Sequence, residues 1–209
     1  MATISTKPSF TQESITFLGD LTMNNDRDWF QDQKEHYQSV VAEPAKVFMG
    51  KMQDALGQLT RTKMSGKTFR IYRDVRFSKD KTPYNPHVRM IFRPEISEEE
   101  EECTSNPGFY FSLGMDEVIV GVGSFQFEKE SLKLFRAAIA EEPKKAAAIQ
   151  TIIADCQAKG YRLGEPKLKN IPPGYNKEAP HAGLLRHKGL ALWNDIDPKV
   201  ICSDQAIER

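Results

Sequence analysis

The sequence predicts an α+β domain in which helices pack on one face of a mainly antiparallel sheet. In the N-terminal third, apolar residues recur with the period of an amphipathic helix. The period changes to two near Thr68, as in strands, and returns to the helical period after Phe127. A run of strands between two groups of helices favours an antiparallel sheet, because parallel strands alternate with helices. Residues 10–209 are expected to form this single domain, after a flexible tail of residues 1–9.

Capping residues mark where the predicted helices begin. Thr11 is suited to cap the first helix, and Asp26 or Asn25 the second, because their side-chain oxygens accept hydrogen bonds from the first turn. Pro44 and Pro143 suit the first turns of two later helices, where the missing N–H has no partner to lose. These helices therefore have predictable starts.

Five segments have the alternation and composition of strands: Thr68–Phe77, His87–Arg93, Gly108–Leu113, Glu117–Phe125 and Gly189–Trp193. Residues 94–107 connect two of them and contain the acidic run Glu98–Glu102, which predicts a solvated, mobile loop. Gly121 and Gly123 lie on one face of the fourth strand, so another group is expected to approach that face closely. An aromatic ring or a helix is favoured over a ligand as the approaching group.

Composition excludes several classes of protein. The 209 residues carry a formal net charge of zero, so no global field favours nucleic acid or an anionic membrane. The apolar runs are too short to span a bilayer, and the first residues lack the apolar core of a secretory signal. Three scattered cysteines, Cys103, Cys156 and Cys202, form no paired motif. A reduced, cytoplasmic protein is therefore expected.

The most informative part of the chain is Arg70–Tyr84, here called the charged segment. As a strand it would present two rows of side chains. One row consists of Phe69, Ile71, Arg73, Val75 and Phe77, a core row with a single arginine; the other consists of Arg70, Tyr72, Asp74, Arg76 and Ser78. A buried guanidinium needs a carboxylate, carbonyl groups or a bound anion, because an unpaired buried charge is costly. The identity of the partner of Arg73 is therefore the central question.

Two interpretations of these arginines remain open from the sequence. Arg70 and Arg76 can share one face of the sheet with Arg89 and Arg93 of the next predicted strand. On the first interpretation they bind an anionic ligand, since arginine forks hold carboxylate and phosphate oxygens bidentately. On the second they form a structural ladder of ion pairs with carboxylates of the same chain.

A second basic cluster follows later in the chain and contains Lys169, Arg186 and Lys188. If it converges with the charged segment, the two form a polar cleft; otherwise these are surface cations around a rigid loop. His87 and His181 each lie beside a basic segment, where an imidazole can serve acid–base chemistry. No pair among the four histidines has metal-ligand spacing, so no metal site is predicted.

Several motifs together resemble a known family. They are Asn24-Asn25 with Asp28-Trp29-Phe30, Arg73-Asp74-Val75-Arg76-Phe77 with Asp80-Lys81-Thr82-Pro83-Tyr84, Pro107-Gly108-Phe109-Tyr110, Leu168-Lys169 with Pro173-Gly174-Tyr175, and Leu184-Leu185-Arg186-His187-Lys188. The chain resembles, from about Phe10 to about Ile196, a family of conserved hypothetical proteins, mostly bacterial, classed as a domain of unknown function. The resemblance implies a single compact domain. It implies no activity, so it supplies no catalytic residue.

The sequence therefore favours a polar cleft that binds a phosphate- or carboxylate-bearing ligand. The predicted ligand-binding residues are Arg70, Arg73, Arg76, Lys81, Lys169, Arg186 and Lys188. Asp74 is expected to orient an arginine or act as a base, and Tyr84 to donate a hydrogen bond. If the protein is an enzyme, these groups predict metal-independent transfer or hydrolysis that relies on fixed cations. The alternative is a non-enzymatic interaction or nucleic-acid-binding module that uses a basic sheet face.

Overall fold

The computed structural model describes residues 8–95, 107–204 and 206–207. Its helices are α1 (Gln12–Met23), α2 (Arg27–Asp32), α3 (Lys34–Tyr37), α4 (Glu43–Thr60), α5 (Lys129–Glu141), α6 (Pro143–Ala158) and α7 (Pro198–Ile201). A π-helical turn, Gln38–Ala42, joins α3 to α4, and a 3₁₀-helix spans Ala182–Arg186. None of these helices is both long and apolar enough to cross a membrane.

Six strands form one sheet: β1 (Met64–Thr68), β2 (Val88–Pro94), β3 (Gly108–Leu113), β4 (Val118–Ser124), β5 (Arg162–Leu163) and β6 (Leu190–Ile196). Their order across the sheet is β1-β2-β3-β4-β6-β5. The β1–β2 and β5–β6 pairs are both antiparallel, with Thr68 opposite Met90 and Leu163 opposite Leu192. The predicted α+β class with an antiparallel sheet is confirmed.

The predicted helix starts are also confirmed. Thr11 caps α1, and its own N–H donates to Ser14 Oγ at 3.1 Å. Asp26 caps α2 by accepting the N–H of Trp29 at 2.9 Å. Pro44 and Pro143 occupy the first turns of α4 and α6. Caps are predictable because the interaction is local and depends on residue type.

Contacts within the chain group it into two compact units. The first unit contains three stretches: the residues up to Glu95, Tyr110–Val120, and the residues from Asp195 onward. The second unit contains Gly121–Asn194 and, among the described residues before Tyr110, residues 107–109. Fully buried side chains of the first unit include Phe10, Leu18, Leu21, Phe48, Met90 and Phe92. The core of the second unit consists of Ile139, Ala146, Ile153, Ala182, Leu184 and Leu185.

The predicted strand Thr68–Phe77 is wrong. The strand is β1, which lies earlier and ends at Thr68, and only the N–H of Phe69 continues the pairing, to Arg89 O at 2.8 Å. Phe77 is 97% exposed, so the predicted core row does not exist. Alternating polarity was misleading here because the charged segment pairs with itself rather than with β2. The true strand was missed because four of its five residues are exposed and carry no apolar pattern.

The prediction that another group closely approaches the glycines of β4 is confirmed. A Cβ atom built on Gly121 would lie 2.7 Å from two ring carbons of Trp193, inside contact distance. Gly123 has a φ of +134° and lies against the main chain of Leu190. The indole of β6 thus fills the space that a side chain on Gly121 would need.

The predicted acidic loop lies largely outside the described residues, since residues 96–106 are not among them. The same holds for residues 1–7 of the predicted tail. Both remain predictions.

Gly121→Ala is expected to destabilise the protein by about 1–3 kcal/mol, because the added methyl group must displace the Trp193 ring. Gly50→Ala is the matched control, since a Cβ at that exposed position of α4 meets nothing within 4 Å. It should raise the free energy of unfolding by roughly 0.5–1 kcal/mol. Urea unfolding measures both changes, and equal effects of the two substitutions would contradict the packing of Trp193.

Candidate functional site

Arg73 pairs with a carboxylate of its own chain. Its Nη1 lies 2.5 Å from Asp80 Oδ2 and also donates to Thr82 Oγ1. The Arg73 side chain is 24% exposed, so the ion pair is only partly accessible to water. Asp80 also accepts the N–H of Thr82 at 2.9 Å, and this bond, together with those from Arg73 and the Thr82 hydroxyl, lowers its pKa to about 2. Asp80 therefore remains ionised at neutral pH and neutralises Arg73.

Main-chain pairing closes the charged segment on itself. Tyr72 and Tyr84 form an antiparallel bridge, with the N–H of Arg73 donating to Pro83 O at 2.8 Å and that of Asn85 to Ile71 O at 2.7 Å. Lys81 Nζ reaches back to Val75 O at 3.0 Å. The segment is therefore an ordered excursion between β1 and β2, and Lys81 contributes to holding it closed.

Asp74 and Arg76 form an exposed ion pair within the same segment. Arg76 Nε and Nη2 donate to the two carboxylate oxygens of Asp74 at 2.9 and 2.6 Å. These hydrogen bonds hold the pKa of Asp74 below its ordinary value. Asp74 thus holds the Arg76 guanidinium through both carboxylate oxygens and is a weak base. The other predicted cation, Arg70, is exposed and has no ion pair to the described residues.

Tyr84 is buried in an aromatic cluster of the first unit. Its ring stacks on Phe30 with the centroids 4.1 Å apart and lies 5.4 Å from Tyr72. Desolvation, with the neighbouring Tyr72 hydroxyl second, raises the pKa of the Tyr84 phenol. The phenol therefore keeps its proton and can donate a hydrogen bond, although its ring chiefly anchors the segment.

Asn25 holds the main chain at Tyr84. Its Oδ1 accepts the N–H of Tyr84 at 3.0 Å and its Nδ2 donates to Tyr84 O at 3.1 Å. The side-chain amide thus imitates a neighbouring strand over one residue. This role was not predicted, because the two residues are 59 positions apart and no local pattern links them.

In the second unit, Arg186 lines a cleft of about 330 Å³, called the Arg186 cleft. Its walls come from α6, the end of β5 and the 3₁₀-helix: Gln150, Leu163, Gly164, Glu165, Pro166, His181, Gly183, Leu184, Arg186 and His187. The N–H of Leu168 donates to Arg186 O at 3.1 Å and ties the two sides together. The cleft is thus built from segments that are fixed by hydrogen bonds.

Two basic groups of the Arg186 cleft lack partners among the described residues. The Nε of Arg186 is buried and has no hydrogen bond to them. The side chain of His187, a residue only 6% exposed, likewise makes no hydrogen bond to the described chain. Burial lowers the pKa of His187, and the positive charge of Arg186 lowers it further, against the opposing effect of Glu165. The imidazole is therefore neutral at pH 7 and has both a donor and an acceptor nitrogen.

His181 begins the 3₁₀-helix in a left-handed conformation, with φ +64°. That conformation is uncommon for a non-glycine residue and places its side chain at the cleft wall. Lys169 and Lys188 are exposed neighbours of the cleft but do not line it. Sequence reasoning selected Arg186 and considered His181, but it assigned no role to His187 or Glu165. No signal in the sequence marks the burial of His187, since it arises from the packing around the end of the 3₁₀-helix.

The predicted ligand-binding residues therefore belong to two different units. Arg70, Arg73, Arg76 and Lys81 are in the first, and Lys169, Arg186 and Lys188 are in the second. Within the described ranges, no three side chains of His, Cys, Asp or Glu lie together as a metal site.

Asn25→Ala is expected to lower the free energy of unfolding by about 1–3 kcal/mol, because it leaves both main-chain groups of buried Tyr84 unpaired. Asn25→Asp should be no better, since a carboxylate oxygen would then face Tyr84 O. Asn24→Ala is the control, because that side chain donates only to Asp20 O at the end of its own helix. Denaturant titrations that show equal losses of stability for Asn24→Ala and Asn25→Ala would contradict this pairing of Asn25 with the main chain of Tyr84, here called the Asn25 clamp.

Asp80 is expected to make the protein acid-sensitive. Its pKa in the folded state is depressed to about 2, so its stabilising effect is complete above its ordinary pKa of 3.8 and is lost as the pH falls from about 4 to about 2. Asp80→Asn should lower stability at neutral pH and flatten the pH dependence in that interval. Asp32→Asn, at an exposed aspartate without an ion pair to the described residues, should keep the wild-type slope. Unfolding midpoints measured against pH test this, and identical slopes for both variants would refute it.

A search of curated proteins found no match to the chain. The model of one family, described as "Conserved hypothetical protein (DUF2461)", matches residues 13–209. This match covers nearly the whole chain and confirms the family resemblance that the sequence indicated. The chain belongs to this family of conserved hypothetical proteins.

Proposed function

We propose that the protein binds a small phosphate- or carboxylate-bearing anion in the Arg186 cleft. The observation that carries the proposal is that Arg186, whose buried Nε has no hydrogen bond to the described residues, and the largely buried residue His187 line one cleft of about 330 Å³. A buried donor without an acceptor costs about 1–3 kcal/mol, and an anion that reaches the guanidinium can supply acceptors. Arginine also binds planar or tetrahedral oxyanions through two parallel hydrogen bonds.

The charged segment is a poorer candidate for this small-anion site. Arg73 and Arg76 already hold the carboxylates of Asp80 and Asp74. A ligand there would have to displace a tethered carboxylate, whereas in the Arg186 cleft it would meet unpaired donors. The proposed site therefore keeps one predicted residue, Arg186, as its central cation.

His187 gives the cleft an acid–base group beside a fixed cation. A neutral imidazole accepts a proton, and an adjacent guanidinium stabilises developing negative charge. These groups are suited to metal-independent transfer or hydrolysis. Binding of the anion comes first, and transfer or hydrolysis of a bound substrate would follow from it.

Arg186→Met is expected to weaken binding of inorganic phosphate about 10- to 100-fold, the loss that removing a charged hydrogen-bond partner causes. Isothermal titration calorimetry measures the affinity, with circular dichroism to confirm that the variant folds. Arg76→Met is the matched control, because it removes an exposed arginine from the other unit. Equal phosphate affinity in the wild type and Arg186→Met, or no binding by the wild type, would refute the proposal.

Sulfate, whose charge is constant over this range, isolates the effect of His187. The folded pKa of His187 lies below 6.5, and a bound anion would raise it, so binding takes up a proton. Sulfate affinity should therefore increase as the pH falls from about 7.5 to about 5.5. His187→Gln should remove this increase, and a pH dependence that persists in the variant would remove His187 from the site.

A further inference from the structure

The charged segment, together with Phe69 immediately before it, presents three aromatic side chains to solvent. Phe69 is 42% exposed, Tyr72 58% and Phe77 97%. Apolar groups that cluster on an exposed surface, beside polar neighbours, commonly mark an interaction site. The sequence predicted two of these rings, Phe69 and Phe77, to be in the core, so their exposure is a property of the folded chain alone.

Arginines accompany two of the exposed rings. The guanidinium carbon of Arg76 lies 6.0 Å from the centroid of Phe77, and that of Arg89 lies 6.0 Å from the centroid of Phe69. The charged segment has five cations, Arg70, Arg73, Arg76, Lys79 and Lys81, and two carboxylates, Asp74 and Asp80. Positive charge is therefore concentrated here in a protein whose net charge is zero.

The segment is held in shape before any partner arrives. The Arg73–Asp80 ion pair, the bond from Lys81 Nζ to Val75 O and the Asn25 clamp on Tyr84 fix its two arms. A preorganised surface loses little conformational entropy on binding, which favours a specific contact over a transient one. The rings and cations are thus displayed on a defined platform.

We infer that the charged segment binds single-stranded nucleic acid. Unpaired bases stack on exposed aromatic rings, and the cations between the rings contact the phosphates. A duplex does not fit this surface, because its base faces are already stacked on one another. The electrostatic attraction comes from this one segment and not from the whole protein, whose net charge is zero. A short stretch of a few nucleotides is therefore the expected ligand.

Fluorescence anisotropy with a labelled oligothymidylate of about twelve nucleotides tests the inference. The wild type should bind at about 50 mM salt and much more weakly at about 200 mM. Phe77→Ala should reduce the affinity about 5- to 100-fold, the effect of losing one stacked base. Because Phe77 is almost fully exposed, the variant should keep the stability of the wild type. Leu59→Ala is the control, since it removes another exposed apolar side chain, on α4, and should leave binding unchanged.

Arg70→Met separates phosphate contacts from stacking. It should weaken binding and lower the slope of log affinity against log salt by about one unit. No binding at low salt would overturn the inference. Equal affinity for a duplex of the same length, or wild-type affinity in Phe77→Ala, would overturn it as well, because only charge would then be recognised. Tighter binding of a polyglutamate peptide than of the oligonucleotide would assign the surface to an acidic protein instead.

The two proposals fail independently. Arg186→Met should bind the oligonucleotide like the wild type, and Phe77→Ala should bind phosphate like the wild type. A loss of oligonucleotide binding in Arg186→Met would overturn the assignment of nucleic acid to the charged segment.

Discussion

The ion pair between Arg73 and Asp80 is the constraint on which the charged segment depends. A partly buried guanidinium requires a partner, and Asp80 is suited to be one because hydrogen bonds from Thr82 and Arg73 hold its pKa near 2. The pair joins the two arms of the excursion, next to the bridge between Tyr72 and Tyr84. With the arms closed, Tyr84 packs inward on Phe30, and Phe77 is left at the exposed tip.

This constraint separates arginines that hold carboxylates of their own segment from arginines that form no ion pair with the described residues. Arg73 and Arg76 hold carboxylates of the same segment, so much of its charge is used internally. Arg70 has no such partner among the described residues, and in the other unit Arg186 lacks one for its Nε. The density of charge in the sequence therefore marked a segment that needs internal ion pairs, and the structure shows which of its arginines form them.

The parts of the fold that were predictable depend on local chemistry. The caps at Thr11 and Asp26 and the strand Gly108–Leu113 follow from residue type and short-range pattern. The strand Thr68–Phe77 was predicted wrongly because an alternation of polar and apolar residues does not show which other segment of the chain those residues pair with. Residues 71–73 pair with residues 83–85 of the same excursion, and it is β1, with little apolar pattern, that pairs with β2.

Residue types and short-range order were enough to predict the α+β class, the helix starts and the need of Arg73 for a partner. They did not determine which partner Arg73 takes, since an anion and a nearby carboxylate satisfy a guanidinium equally well. The folded backbone selected Asp80 as that partner, placed Asn25 against Tyr84 and buried His187 in the wall of the Arg186 cleft. Each of these contacts depends on where the folded backbone brings groups together, and burial depends on everything packed around them.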